Sequence, residues 1–388
     1  MFLLPDYVKF ALNTLKRNGF NAYIVGGAVR DLLLNKKPDD FDITTNALPE
    51  EVIAIFDKTI PTGIKHGTVT VLIENKSIEI TTFRTDGKYS DHRSPENVQF
   101  TKTIIEDLSR RDFTVNAIAY NEDDGIIDNY GGEKDIKNRI IRAVGNPEKR
   151  FTEDALRILR AYRFAAVLNF EIEKKTLYGI SKTAYLLSSI SAERVFTELI
   201  KTLLSDNPQI IEGLIRFEGL RFLEIEKIKN PNLLRKLPKN KFLRFFAFCY
   251  LCNIDSLSMC QLLKTDNVFK KHCKNLSLLL KYKLPQSKTD LKLMLKDFDE
   301  ASVLEYIQLI NVLFNIDGKA LTTYYNEIFY NNEPYKISQL NINGDEIISL
   351  GYKNETVGKV LNSLIDKVIE NPYLNTKEEL KKLINNSN

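Results

Sequence analysis

The sequence predicts an α+β protein whose amino-terminal 145 residues form an α/β unit and whose remainder is all-α. Two observations carry this. Up to residue 145, short β-branched runs alternate with amphipathic stretches, whereas from Asn146-Pro147 onward the apolar residues recur at helical spacing with no convincing strand. Size and composition agree. A chain of 388 residues with 43% hydrophobic and 27% charged residues buries enough apolar surface to be a globular protein of several packed units, without disulfide staples.

In chain order, an amphipathic helix is expected ahead of Asn18-Gly19, then a strand at 22–25, and a further helix at 49–56. Strands follow at Thr68-Val-Thr-Val-Leu-Ile and Ser77-Ile-Glu-Ile-Thr-Thr-Phe. Turn signals at Asn207-Pro208, Asn230-Pro231 and Leu284-Pro285 punctuate the helical remainder, and no repeat of fixed period is present. The amino-terminal Met1 to Leu4 lacks the features of a secretory signal. The longest apolar stretch, 245–252, is far short of the roughly 20 residues a membrane helix requires. A cytoplasmic protein without a membrane partner is expected.

Cys249, Cys252, Cys260 and Cys273 fall within 25 residues, with His272 beside the last. Zinc is disfavoured because the C-x-x-C pair lies in the apolar run FFAFCYLC rather than in a Gly- or Pro-rich turn. The formal net charge of +4 is small, but seven Lys or Arg residues and no acid lie between Lys227 and Arg244. Such a face suits phosphates, and a merely solvated surface equally.

The chemistry-bearing motifs begin where the first strand meets Gly26-Gly27-Ala28-Val29-Arg30-Asp31. A glycine turn between strand and helix admits close approach of an anion, with Gly27 and Arg30 as candidate contacts. Ten residues on, Asp40 and Asp42 alternate about Phe41, so on a strand both carboxylates face one side while Asp39 points away. Paired carboxylates are costly without a cation, and hard oxygen ligands at this spacing suit Mg²⁺ with a bound phosphate. Together the two motifs suggest nucleotidyl transfer, with Glu79 the candidate third carboxylate and a solvent-facing strand glutamate its duller alternative.

In Arg110-Arg111-Asp112-Phe-Thr-Val-Asn116-Ala, Arg111 offers a bidentate grip on phosphate. Asp112 and Asn116, one helical turn apart, are candidates to face a ribose or a base. The segment Glu153-Asp154-Ala-Leu-Arg157-Ile-Leu-Arg160-Ala-Tyr-Arg163-Phe164 places Leu156, Leu159 and Phe164 on an apolar face and its charged residues on another. A carboxylate beside a guanidinium matches a base edge that has an amino donor next to a ring-nitrogen acceptor. Cytosine and adenine present that order, whereas uracil and guanine invert it.

These ordered motifs, GGAVRD with DDFD, RRDFTVNA and EDALRILRAYRF, resemble those of the bacterial class II CCA-adding tRNA nucleotidyltransferases. The resemblance is strong to about Glu173, returns at 190–194 and 342–345, and leaves 210–335 unplaced. It implies a seahorse-like chain with a nucleotidyltransferase head at 1–145, a helical neck at 146–225, a body at 226–310 and a tail at 311–388. It further implies Mg²⁺ on Asp40 and Asp42, and nucleotide contacts from Gly27, Arg30 and Arg111. Asp154 and Arg157 would select the base, Arg160 and Arg163 would complete the pocket for ATP and CTP, and the helical remainder would hold tRNA. The oligomeric state stays open, a homodimer included.

Two positions depart from the family pattern. Asn35 replaces a glycine, a mild change because Asn tolerates the left-handed helix end, and Ser94 replaces an arginine in the loop Asp86 to Pro95. Rival readings are a poly(A) polymerase of the same superfamily, a partial CC-adding or A-adding enzyme, and a catalytically silent RNA-binding module. His66 is expected to serve the turn or the core rather than act as a base, and His92 is unassigned.

Overall fold

The computed structural model describes residues 2–87, 98–353 and 355–385, so the loop expectations for Ser94 and His92 lie outside the described residues. The chain divides into two compact units, residues 1–231 and 232–388.

The first unit is built on a mixed seven-stranded sheet. Helix α1 (Asp6–Arg17) buries Val8, Ala11, Leu12 and Leu15, with acidic Asp6 in its first turn and Lys16 and Arg17 in its last, as its dipole favours. Strand β1 (Ala22–Val25) follows and is buried throughout. It runs into α2 (Gly27–Leu33), which ends ahead of Asn35 in the left-handed region at φ 56°. Next come β2 (Asp42–Thr45), α3 (Pro49–Ile55), β3 (Thr59–Gly63), β4 (Thr68–Ile73) and β5 (Lys76–Thr82). The ribbon β6 (Arg84–Asp86) and β7 (Val98–Phe100) stands apart as its own antiparallel pair. Helix α4 (Ile104–Ser109), then β8 (Ala119–Asn121), β9 (Gly125–Ile127) and α5 (Gly132–Asn138) complete this part.

The strand order is β3-β4-β5-β2-β1-β8-β9. All neighbours are antiparallel except β2 and β5, which run parallel and set Asp42 opposite Glu79. The predicted strands and the helices at 6–17 and 49–55 are therefore present within a residue or two of their expected ends. One expectation is corrected. The helical remainder does contain a strand: β10 (Ile140–Ile141) pairs in parallel with β11 (Glu171–Ile172). Two residues are too few to leave a period in the sequence.

The switch at Asn146-Pro147 is a helix start. The Asn146 side chain accepts the Lys149 N–H and Pro147 occupies the first turn of α6 (Pro147–Glu153). Helices α7 (Leu156–Leu168), α8 (Lys174–Thr183), α9 (Ala192–Leu203) and α10 (Ile211–Arg216) follow. The predicted two-faced helix at 153–164 is instead broken at Asp154, and α7 is buried around most of its circumference, Arg157 included at 8% exposure.

The second unit is helical: α11 (Leu233–Lys236), α12 (Lys241–Cys252), α13 (Ser256–Leu262), α14 (Asn267–Leu279), α15 (Lys288–Asp297), α16 (Glu300–Leu313), α17 (Lys319–Tyr330), α18 (Gly344–Ser349), α19 (Glu355–Glu370) and α20 (Lys377–Asn385). Side chains of Asn240, Asp255, Asp266, Ser287 and Asp299 cap the starts of α12 to α16. The four cysteines are free and buried on α12 to α14. No single described helix is long and apolar enough to cross a membrane.

Candidate active site

The carboxyl end of β1 opens into a cleft of about 580 Å³. Its wall begins with Gly26, whose φ of 69° and ψ of −127° suit glycine and where a Cβ would sit 3.1 Å from Arg111 Nη1. Gly27 opens α2 beside it. Because α2 spans only seven residues, attraction for an anion falls mainly to the side chains around it. Arg30 reaches back into the wall, where Nη1 donates to Asn116 Oδ1 at 2.7 Å and Nε to Asp31 at 2.9 Å.

Asp40 and Asp42 are exposed on either side of buried Phe41, the expected alternation, although β2 itself starts only at Asp42. Glu79 on β5 is the register partner of Asp42 and is exposed while Ile78 and Ile80 are buried. Although the residue is open to the cleft, the surrounding walls strip water from the Asp42 carboxyl and raise it above the ordinary range, and the charges of Glu79 and Asp40 raise it further, against the pull of Arg111. An acid held back by its acidic neighbours is a group that a cation would relieve, so the donor set fits a hard divalent ion. Among the described residues no three His, Cys, Asp or Glu side chains converge as a closed cage, and the pair leaves coordination positions for phosphate oxygens and water.

The second motif is not a helix as expected. Helix α4 stops at Ser109, and only a single 3₁₀ turn covers Thr114 to Asn116. Asp107, fully buried, accepts from Arg110 at 2.8 Å and from Arg111 at 3.1 Å. Burial pushes its carboxyl up, but the Arg111 and Arg110 charges together hold it below the usual range. Arg111 thus faces the cleft with its Nε buried and lacking a hydrogen-bond partner among the described residues.

Asp112 and Asn116, the candidates to face a ribose or base, line the cleft, and both are also bonded by neighbours. Asp112 accepts from Arg160 Nε at 2.7 Å, from the Phe113 N–H at 2.8 Å and from Asn116 Nδ2 at 3.2 Å. Burial works against the Asp112 carboxylate, yet Arg160 and these bonds hold its pKa down at about 2. Both residues position arginines.

The third motif forms the opposite wall. Asp154, between α6 and α7, accepts the Leu156 N–H and one arm of Arg194. Arg157 donates to Glu153 at 3.0 Å and to the Arg110 carbonyl at 2.9 Å, which ties α7 to the second motif. Arg163 donates to Glu198 at 2.5 Å. Phe164 lies under three guanidiniums, Arg163 at 4.0 Å, Arg160 at 5.2 Å and Arg30 at 5.4 Å from its ring centre, a role its place in an apolar pattern did not announce.

All nine nucleotide and metal candidates, Gly27, Arg30, Asp40, Asp42, Arg111, Asp154, Arg157, Arg160 and Arg163, line this one cleft. Gly26, Arg84, Arg110 and Arg194 join them, so eight arginines face four aspartates, a balance suited to a polyanion. Arg84, absent from the candidates, donates to the backbone carbonyl of His66, which is exposed in a one-turn 3₁₀ helix. Asp107 stands three and four residues before its partners, a spacing that was readable. Arg194 and Glu198 lie 35 to 40 residues from theirs, and spacing gave no signal for them.

Comparison with known proteins places this geometry. A family model described as Poly A polymerase head domain matches residues 22–142, and one described as Probable RNA and SrmB- binding site of polymerase A matches residues 169–225. The CCA-adding enzyme of Ligilactobacillus salivarius is 38% identical over 396 residues, covering 97% of this chain and 96% of that relative. That of Geobacillus stearothermophilus is 54% identical over 192 residues, covering 50% of this chain and 48% of the relative. A crystal structure of the Bacillus stearothermophilus CCA-adding enzyme in complex with CTP superposes with a TM-score of 0.84 at 31% identity, over 99% of this chain and 98% of that one. The Thermotoga maritima CCA-adding enzyme complexed with tRNA shares the fold, with a TM-score of 0.71 at 21% identity over 99% and 97% of the two chains. With a mixed-sheet unit, a cleft joining carboxylates to arginines and a relative matched along nearly its whole length, the chain belongs to the CCA-adding enzyme family of nucleotidyltransferases.

Proposed function

We propose that this protein builds and repairs the 3′-terminal CCA of tRNA from CTP and ATP without a nucleic-acid template. The observation that carries the reading is the single cleft in which an unpaired carboxylate pair faces the arginine-rich wall. In the reaction the tRNA 3′-hydroxyl oxygen bonds to the α-phosphorus, the bond from that phosphorus to the bridging oxygen breaks, and pyrophosphate leaves. Asp40 and Asp42 would hold Mg²⁺, which when bound activates the hydroxyl and steadies the leaving group. Gly27, Arg30 and Arg111 take the triphosphate, and Glu79 shapes the field at Asp42.

Asp154 and Arg157 read the base edge, and Arg160 and Arg163 close the pocket. The protein works in the cytoplasm. We assign the head to residues 1–145, the neck to 146–225, the body to 226–310 and the tail to 311–388, the last two holding the acceptor-stem and T-arm side of tRNA. The test supplies Mg²⁺ and tRNA that lacks CCA, ends in C or ends in CC, with each of the four nucleoside triphosphates singly and together. Growth to CCA followed by arrest is expected. Open-ended A tails would mean a poly(A) polymerase, a halt at CC a partial enzyme, and no incorporation at all an RNA-binding module.

A further inference from the structure

Phe164 on α7 is buried, yet its ring lines the cleft rather than ending in apolar core. Arg163 and Arg160 of the same helix lie 4.0 and 5.2 Å from the ring centre, and Arg30 of α2 lies 5.4 Å from it. Phe113 meets the ring edge-on at 5.8 Å and 79°, which fixes its plane. Guanidiniums gathered this closely repel one another, and the negative face of an aromatic ring offsets part of that repulsion. A second route joins the same arginines. Arg30 Nη1 donates to Asn116 Oδ1 at 2.7 Å, Asn116 Nδ2 donates to Asp112 Oδ1 at 3.2 Å, and Arg160 Nε donates to Asp112 Oδ2 at 2.7 Å. The two routes differ in kind. Each carboxylate or amide on the polar route consumes an N–H donor, whereas a ring holds a guanidinium and leaves its charge and its donors to a ligand.

We propose that Phe164 is a positioning residue for the nucleotide: the π-face of its ring sets the spacing between Arg30, which takes the triphosphate, and Arg160 and Arg163, which close the pocket. The inference rests on the nucleotide contacts proposed for these three arginines. With the ring in place the arginines stand at the right separation before the nucleotide arrives, and binding does not have to order them. Among the described residues Arg157 is not one of the ring's cationic partners. Loss of the π-face therefore weakens CTP and ATP alike and leaves the choice of base as it was.

The experiment places phenylalanines carrying one, two and three ring fluorines at position 164 of the full-length protein. Each fluorine withdraws charge from the π-face while nearly preserving the ring's size. Phe164→Tyr, Phe164→Leu, Arg30→Ala and Arg160→Ala accompany the series. KM and kcat are measured for CTP on tRNA lacking CCA and for ATP on tRNA ending in CC, with UTP and GTP as the mismatched nucleotides. KM is expected to rise with each fluorine, reaching about 3- to 30-fold for CTP and ATP alike, with kcat and the base ratios little changed and Phe164→Tyr close to the parent. A flat KM along the fluorinated series, with an increase in Phe164→Leu, overturns the inference, since a ring that merely fills volume gives that result. So does a shift in base choice along the series. A raised KM in the two arginine variants with a flat fluorinated series overturns the role of the ring alone. An unchanged KM in both arginine variants overturns the nucleotide contacts and this inference with them. Should Phe164→Leu fail to fold, the fluorinated series decides by itself.

Discussion

On the strand side of the cleft, Asp40, Asp42 and Glu79 have no hydrogen bond or ion pair among the described residues, and loss of water, reinforced by repulsion from Glu79 and Asp40, raises the Asp42 carboxyl. On the helical side each arginine of the reading segment has a carboxylate partner: Glu153, shared with Arg150, for Arg157, Asp112 for Arg160 and Glu198 for Arg163. The acids are arranged at a cost that a ligand relieves, and the arginines are neutralised before any ligand arrives. The first arrangement suits a site that must bind and release charge at every turnover. The second suits a template of fixed shape, because a buried pair holds its geometry and loses several kcal/mol when one partner is removed. Function and stability should therefore separate between the walls.

The largest effect is expected from Asp40→Ala or Asp42→Ala. Addition of both C and A should drop on the order of 10³-fold or more, with a melting temperature equal to or above the parent's because a like-charge contact is relieved. Labelled-nucleotide incorporation and a thermal melt measure the two quantities, and a parallel loss of stability would break the contrast between the walls. Asp112→Asn should act in the opposite sense. It leaves Arg160 without its charge partner and costs about 3 kcal/mol in denaturant unfolding.

The same carboxylate sets a pH dependence. Its native pKa of about 2 lies below the ordinary value of 3.8, so its contribution of about 2 kcal/mol is fully present above about pH 4 and is lost as the pH falls toward 2. Stability measured against pH should show that acid limb, and Asp112→Asn should flatten it. Arg157→Ala should give the smallest change in overall transfer. Base choice relaxes with residual activity, and about 1–3 kcal/mol of stability is lost because the Arg110 carbonyl and Glu153 lose a donor. Unchanged discrimination in single-nucleotide assays would remove Arg157 from the reading pair.

The sequence carried the strand side almost completely. Alternation about Phe41 is a local, period-two property of an extended chain, and the glycine turn is punctuation, so both were readable from neighbouring residues. The helical side was legible as a set of residues but not as an arrangement. The break at Asp154 replaced an expected continuous helix, and Asp112 and Asn116, read only as candidates to face a ribose or base, also hold Arg160 and Arg30. Phe164 was read as core although it also carries three guanidiniums. Asp112 meets Arg160 48 residues away and Asn116 meets Arg30 86 residues away, and no spacing rule reaches that far. The strand at Glu171–Ile172 was missed for a different reason, since two residues define no period.

By itself the sequence determined the α+β class, the point where strands give way to helices, and the nine candidates of the cleft, because periodicity, turn chemistry and ordered motifs are written locally. Tertiary structure alone decided which carboxylate serves which arginine, that Glu79 stands opposite Asp42, and that Arg194 of α9 pairs with Asp154. Strand register and helix packing bring together groups that the chain keeps far apart, and the energy of a charge depends on the partner it meets there.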